Sequence, residues 1–434
     1  MRTTRILGGL LLLAAVGVGG FTALAWQSEL DPIKPPERSA FPPEKIAQGA
    51  RLASLGYCAQ CHTAAGGKPF AGGYPLKTPF GTIYGTNITP DPETGIGTWS
   101  EEAFARAMGE GVDREGHHLY PGFPYDHFTR ISPDDNRALY AYLMTREPVR
   151  AEAPANELPW PLQFRPLLAG WKLLFLDQDP FKDDPARSPD WNRGAYLAES
   201  VAHCGACHTP RNLLGARETD RKFAGGESEG WHAPALNEAS TAPIPWDQDS
   251  LYAYLRKGVS EDHALAAGPM APVIRNLSSV PDEDIRAMAT YIADGMGERQ
   301  PAPPAGAVPP GNGAATVYAG ACANCHEPGG PLQFAAPVDL AKATSIAQPD
   351  PRNLIQVIVG GVMTPDAAAA PLMPGFAHIL TDKQIAELTA YLRTRFSGQP
   401  AWTDIERHVA RIRSETGSTG GANSGSATRI AKGE

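Results

Sequence analysis

The sequence predicts a mainly α, loop-rich protein built from three tandem copies of one small domain, and three observations carry that expectation. A CxxCH pentapeptide occurs three times, at Cys58 to His62, Cys204 to His208 and Cys322 to His326. Each copy has one stretch of helical periodicity before it and two after it. Pro/Gly-rich spacers fall between the copies, in a chain of 434 residues with 45 Gly and 42 Pro. That length suits about three domains.

Each pentapeptide reads as an attachment site for a c-type haem, in which two thiols bond to the porphyrin vinyl groups and the following histidine binds the iron. Cys58, Cys61, Cys204, Cys207, Cys322 and Cys325 are then covalent anchors, and His62, His208 and His326 are iron ligands, giving three haem c per chain. A thioredoxin-like pair or a zinc knuckle needs two sulfurs but no histidine directly after the second. Three copies that use all six cysteines favour haem over either alternative. The haems also supply apolar core to a chain that is only 8% aromatic.

Residues 1–30 carry Arg2 and Arg5 and then no charge until Glu29. This is the pattern of an export signal, with Ala23-Leu24-Ala25 as a small-x-small cleavage site. The 21 residues from Ile6 to Trp26 would also span a bilayer as a helix, so a signal peptide and a membrane anchor are both open. Either way the positive end stays in the cytoplasm and the remainder is exported.

Residues 31–43 form a Pro-rich spacer, and 44–150 the first domain. Its entry helix EKIAQGARLASLGY leads into the motif, followed by SEEAFARAMGEGV and SPDDNRALYAYLMTR. Residues 151–188 are an interdomain strap whose apolar stretch FRPLLAGWKLLFLDQDPF either packs against haem domains or serves as a docking surface. The second domain, 189–299, repeats the order with WNRGAYLAES, WDQDSLYAYLRKGV and PDEDIRAMATYIADGM. A Pro/Gly linker spans 300–313. The third domain, 314–397, contains DPRNLIQVIVGGV and TDKQIAELTAYLRTRF, where Thr381 and Gln384 have capping-box spacing. The tail, 398–434, allows a short helix at 402–414 before a Gly/Ser-rich, partly disordered end.

A c-type iron commonly takes a methionine thioether as its sixth ligand. Gly111, Gly258 and Gly361 end the three middle helices, and twelve residues beyond each lie Phe123, Met270 and Met373. Met270 and Met373, in Pro-containing loops, are therefore the expected distal ligands. Met363 competes in the third copy but sits only two residues past its glycine. Phenylalanine cannot bind iron, so haem one departs from the pattern. Met108 reads as core of the middle helix, Met144, Met288 and Met296 as packing, and His117, His118 and His127 as solvated loop histidines. His203, His232, His263 and His378 have less claim still.

TPFGTIYGTNITPDPETGIGTWS after the first motif, then GVDREGHHLYPGFPYDHF and CGACHTPRNLLG, resemble the three-haem cytochrome c subunits of periplasmic membrane-bound dehydrogenases. That family serves alcohol, aldehyde, gluconate and nicotinate oxidation. The resemblance covers Glu44 to Phe396 and implies tandem class I cytochrome c-like domains on the periplasmic side of the bacterial inner membrane, anchored by the N-terminal helix or through the complex. Phe123, where members paired with quinoprotein alcohol dehydrogenases have methionine, is similar to subunits accompanying molybdenum hydroxylases of the nicotinate or aldehyde type. The implied partners are a dehydrogenase catalytic subunit, with a molybdenum hydroxylase, quinoprotein or flavoprotein centre, and ubiquinone or a terminal oxidase as acceptor.

No nucleophilic triad, phosphate-binding loop or dinucleotide fingerprint is present, so the expected role is an electron-transfer subunit with no catalytic residue of its own. The alternative is a haem enzyme or sensor using an open haem one to bind or turn over a small ligand such as peroxide. A net charge of −9 disfavours nucleic acid as a partner.

Overall fold

The structure, a computed structural model, describes residues 6, 13, 16, 17, 19–298, 313–330, 339–362 and 373–423. The apolar stripes become helices in the expected order. Entry helices span Pro43–Leu55, Pro189–Glu199 and Gly313–Ala321. Middle helices span Glu101–Glu110, Gln248–Lys257 and Arg352–Gly360, and final helices Pro133–Met144, Asp282–Met296 and Asp382–Ser397.

Their ends have local causes. Ser100 and Ser132 accept from the backbone N–H three residues on, Asp247 does the same through a capping box, and Thr381 and Gln384 form the expected box. Gly111, Gly258 and Gly361 stop the middle helices at φ 61°, 75° and 74°, a region where a side chain is strained.

The entry helices stop short of the motifs. Separate one-turn helices, Cys58–Cys61, Gly205–His208 and Ala323–His326, carry them. Tyr57 and His203, each directly before a first cysteine, have φ of 58° and 39°. Left-handed residues other than glycine cost on the order of 1–3 kcal/mol, so strain is stored beside these two motifs. The loops after the motifs also hold antiparallel hairpins, Pro75–Thr78 with Gly81–Tyr84 and Gly226–Ser228 with Trp231–Ala233. A third pairs Val259–Ser260 with His263–Leu265. Strands of two to four residues are too short for alternation to reveal them.

The chain forms two compact units. One comprises 1–182 with 199–203 and 212–217; the other comprises 183–198, 204–211 and 218–434, so the second and third repeats share a unit. In the first, the entry and final helices approach so closely that a Cβ on Gly49 would lie 1.9 Å from the Ala138 carbonyl oxygen. In the second, Gly194 stands at the same 1.9 Å from Ala287. The third repeat closes with aromatic bulk instead, Tyr318 against Tyr391 and Phe396 at 5.8 and 5.7 Å. It is tied to the second by paired bonds between Asn353 and the His232 backbone, 2.9 and 2.7 Å, and by Arg352 with Glu227 at 2.9 Å. The tail helix spans Ile405–Asn423, running past the expected end, and buries Ile405, Val409 and Ile412 in the third core.

In the first unit the Pro-rich spacer is hydrogen-bonded to the domain: Ile33 N–H donates to the Thr98 carbonyl and Arg38 to that of Thr145. The strap forms a helix, Leu167–Phe175, that buries Ala169 and Lys172 and leaves Leu173 and Leu174 exposed. Lys172 Nζ donates to the carbonyls of Glu110 and Gly111 at 2.7 and 2.6 Å, placing a cation at the negative end of the middle helix. The signal or anchor expectation falls largely outside the described residues, among which no helix is long and apolar enough to cross a membrane.

Candidate functional site

In the first motif both cysteines lie in the one-turn helix, three residues apart on one face; in the other two the first cysteine directly precedes the helix. None of the six forms a disulfide. Burial pushes Cys58 up to about 12 and Cys322 up to about 11, and raises Cys207. These are neutral thiols, the opposite of the low-pKa thiolate of a redox pair.

The histidines show what the site is shaped to hold. His62 Nδ1 lies 2.6 Å from the Thr86 carbonyl oxygen, and His208 Nδ1 lies 2.6 Å from that of Pro234. A carbonyl only accepts, so Nδ1 carries the proton and donates. Nε2 is left with its lone pair, as iron ligation requires. Burial also holds both imidazoles below their ordinary pKa, favouring the neutral form that binds metal. Two thiols and a neutral imidazole with its outer N–H already engaged fit haem c. His326 ends its helix in the same way, but the stretch that follows, 331–338, lies outside the described residues.

Beyond the middle helices the repeats diverge. The residue after each helix-ending glycine pairs across a bridge or strand: Val112 with His118, Val259 with Leu265, Val362 with Met373. These partners lie seven, seven and twelve residues beyond the glycine, so the third loop is longer. Met373 is half-buried against the third core. Met270, expected in a loop, instead opens a helix, Met270–Leu277, whose Ile274 and Leu277 are buried. Three apolar positions at i, i+4 and i+7 are the signal that could have found that turn. Met363 lies outside the described residues. Met108 is buried in its helix as expected.

Phe123 stacks among aromatic rings, 5.3 Å from Phe128 and 6.5 Å from the fully buried Tyr125. Two of the three histidines near it are not solvated, contrary to expectation. His118 is buried, its Nε2 on the Ala25 carbonyl at 3.1 Å and its Nδ1 accepting from Lys172 at 3.0 Å. His127 is buried on the short helix Tyr125–Phe128, donating from Nδ1 to the Glu199 carbonyl at 2.7 Å, and burial lowers it to about 3. His117 is exposed. His203, which the sequence ranks low, lies 3.0 Å through Nε2 from the carbonyl of Gly56, two residues before Cys58. Nothing local in the sequence announces these contacts, since each partner comes from a distant segment.

A family model described as Cytochrome c matches residues 46–147 and 312–395. A nicotinate dehydrogenase subunit from Pseudomonas putida is 47% identical over 407 residues, which is 92% of this chain and 34% of that protein. The chain thus spans about a third of that relative. The fructose dehydrogenase cytochrome subunit of Gluconobacter japonicus is 35% identical over 404 residues, 85% of this chain and 83% of its own. The cytochrome c subunit of alcohol dehydrogenase (quinone) from Gluconobacter oxydans is 34% identical over 392 residues, 85% and 82%.

Proposed function

Since this chain belongs to the cytochrome c subunits of dehydrogenases, we propose that it carries three covalent haems c in three tandem domains, 44–150, 189–299 and 314–397. In this reading it takes electrons from a dehydrogenase catalytic subunit in the periplasm and delivers them to ubiquinone or a terminal oxidase at the inner membrane. The observation that carries it is the pair of Nδ1 to carbonyl contacts at His62 and His208, each 2.6 Å, on motifs whose cysteines form no disulfide.

Bound haem supplies one-electron chemistry, and this chain's part is to hold and tune it. Cys58 and Cys61, Cys204 and Cys207, and Cys322 and Cys325 form the thioethers. His62, His208 and His326 would hold the three irons, and Met270 and Met373 would supply the sixth ligand at haems two and three. The similarity to the nicotinate dehydrogenase relative, together with Phe123, favours a catalytic subunit of the molybdenum hydroxylase type.

The test is a pyridine haemochrome assay with intact mass on protein made alongside the haem-attachment machinery, followed by reduction with the co-purified catalytic subunit. Three haems per chain and reoxidation by a ubiquinone analogue are expected. A ratio near two, or bound zinc, refutes the reading.

A further inference from the structure

The carbonyls that receive the Nδ1–H of His62 and His208 lie just past the ends of two short strands. Thr86 stands two residues after Gly81–Tyr84, and Pro234 directly follows Trp231–Ala233. Each strand has one hairpin partner, and a two-stranded hairpin of three or four residues a side is marginal by itself. A carbonyl at the end of such a strand needs an outside hold to keep its place.

In both repeats an asparagine from outside the repeat supplies that hold, at the same offset. Two residues before Thr86, the Tyr84 N–H donates to Asn156 Oδ1 at 2.8 Å. Two residues before Pro234, the His232 N–H donates to Asn353 Oδ1 at 2.9 Å. Asn156 belongs to the strap, and beside it Glu157 exchanges backbone hydrogen bonds with Thr82 at 3.1 and 2.9 Å, so the strap extends the first hairpin. Asn353 belongs to the third repeat and grips both backbone groups of His232, donating from Nδ2 to its carbonyl at 2.7 Å. Nδ2 also donates to Oε1 of the buried Gln348 at 3.0 Å, and the Gln348 carbonyl accepts from Trp402, which ties the asparagine to its own repeat. A backbone N–H only donates and a carbonyl only accepts, so both amide orientations are determined.

We propose that Asn156 and Asn353 are positioning residues for the iron-ligating histidines: each holds the strand whose following carbonyl aims the Nδ1–H, Asn156 for His62 and Asn353 for His208. The inference rests on the haem reading proposed above and deepens it, because the potential of haem two is then set in part by the third repeat, through a residue that touches no ligand. An imidazole that donates firmly from Nδ1 is a more basic ligand and favours oxidised iron, so loosening the carbonyl raises the potential.

The test is a spectroelectrochemical titration of the full haem-loaded chain, with haem content measured by pyridine haemochrome, on wild type, Asn353→Leu, Asn156→Leu and Gln356→Leu. Gln356 is the control: it is uncharged, lies on the same helix as Asn353, and reaches the same hairpin, but at the Gly230 carbonyl in its turn, 3.4 Å away. Asn353→Leu raises one of the three potentials, Asn156→Leu raises a different one, and Gln356→Leu raises none. In proton spectra of the oxidised protein, each asparagine variant speeds deuterium exchange of one hyperfine-shifted Nδ1–H severalfold.

The inference is overturned if three haems are bound and neither asparagine moves a potential, if both move the same one, or if Gln356→Leu matches Asn353→Leu. In each case the electron-transfer reading stands, whereas a chain without haem c overturns both. If Asn353→Leu does not accumulate haem, Asn156→Leu and its exchange rate decide.

Discussion

Twelve residues past the helix-ending glycine, the first repeat has Phe123 packed against Phe128 and Tyr125, and the second has Met270 at the start of a helix. At the motifs themselves the two repeats match: a one-turn helix, a strained residue before the first cysteine, and an Nδ1 to carbonyl contact of 2.6 Å. In the proposed reading the attachment side must satisfy two covalent bonds and one imidazole orientation at once, so it would tolerate little change. The sixth-ligand position would need only to fill space and, optionally, present a sulfur, so it could vary and set the potential.

The largest test exchanges the differing residues. Met270→Phe should abolish one sulfur-to-iron absorption signature and lower one haem potential, and Phe123→Met should create a signature where none existed. Met373→Ala should behave like the Met270 change, and Met108→Ala should alter neither property. Magnetic circular dichroism with a redox titration checks all four; three His/Met signatures in the wild type would erase the contrast.

The shared side is tested by Gly49→Ala and Gly194→Ala. Each would drive a methyl group to 1.9 Å from a backbone oxygen, at the severe end of overpacking, and should cost about 3 kcal/mol. Gly313, which opens the third entry helix with nothing near it, should accept alanine without loss. Thermal melts of the haem-loaded variants make the comparison, and equal losses at all three positions would dissolve it.

A smaller effect distinguishes the middle helices. The second ends with its own Arg256 and Lys257, whereas the first has no basic residue in its last turn and receives Lys172 from the strap. Burial lowers Lys172 from 10.5 to about 8. Between those values the unfolded chain holds a proton that the folded chain has lost. Stability should therefore rise with pH across that window, by up to about 1.4 kcal/mol per unit, and this contribution is flat below it. The difference in melting temperature between wild type and Lys172→Met, followed from pH 7 to 10.5, should show that slope; a constant difference would mean that the lysine does not titrate there.

Helix order, caps and haem motifs are legible because each depends on residues within one turn of one another. Ser100, Asp247 and Thr381 cap where they stand, and Cys204, Cys207 and His208 need no distant partner to announce their chemistry. Met270 falls in a helix where the sequence predicts a loop, because the proline at 272 reads as a breaker although it is tolerated in a first helical turn. His118 and His127 are buried where the sequence predicts solvation, since an isolated histidine in a Gly/Pro-rich segment gives no sign of Ala25, Lys172 or Glu199 arriving beside it.

By itself the sequence determined three things: where the three CxxCH motifs stand, which helices flank each of them, and that one copy lacks the methionine its siblings have. Those are covalent and short-range facts, set by residue identity and by spacing along a turn. Only the tertiary structure decided that Thr86 and Pro234 orient the two histidines, that Lys172 completes a helix in another segment, and that the strap buries one face while exposing the other. Each of these depends on two stretches of chain meeting after tens of intervening residues. Backbone carbonyls and half-buried faces carry no residue-type signature of the partner they will meet.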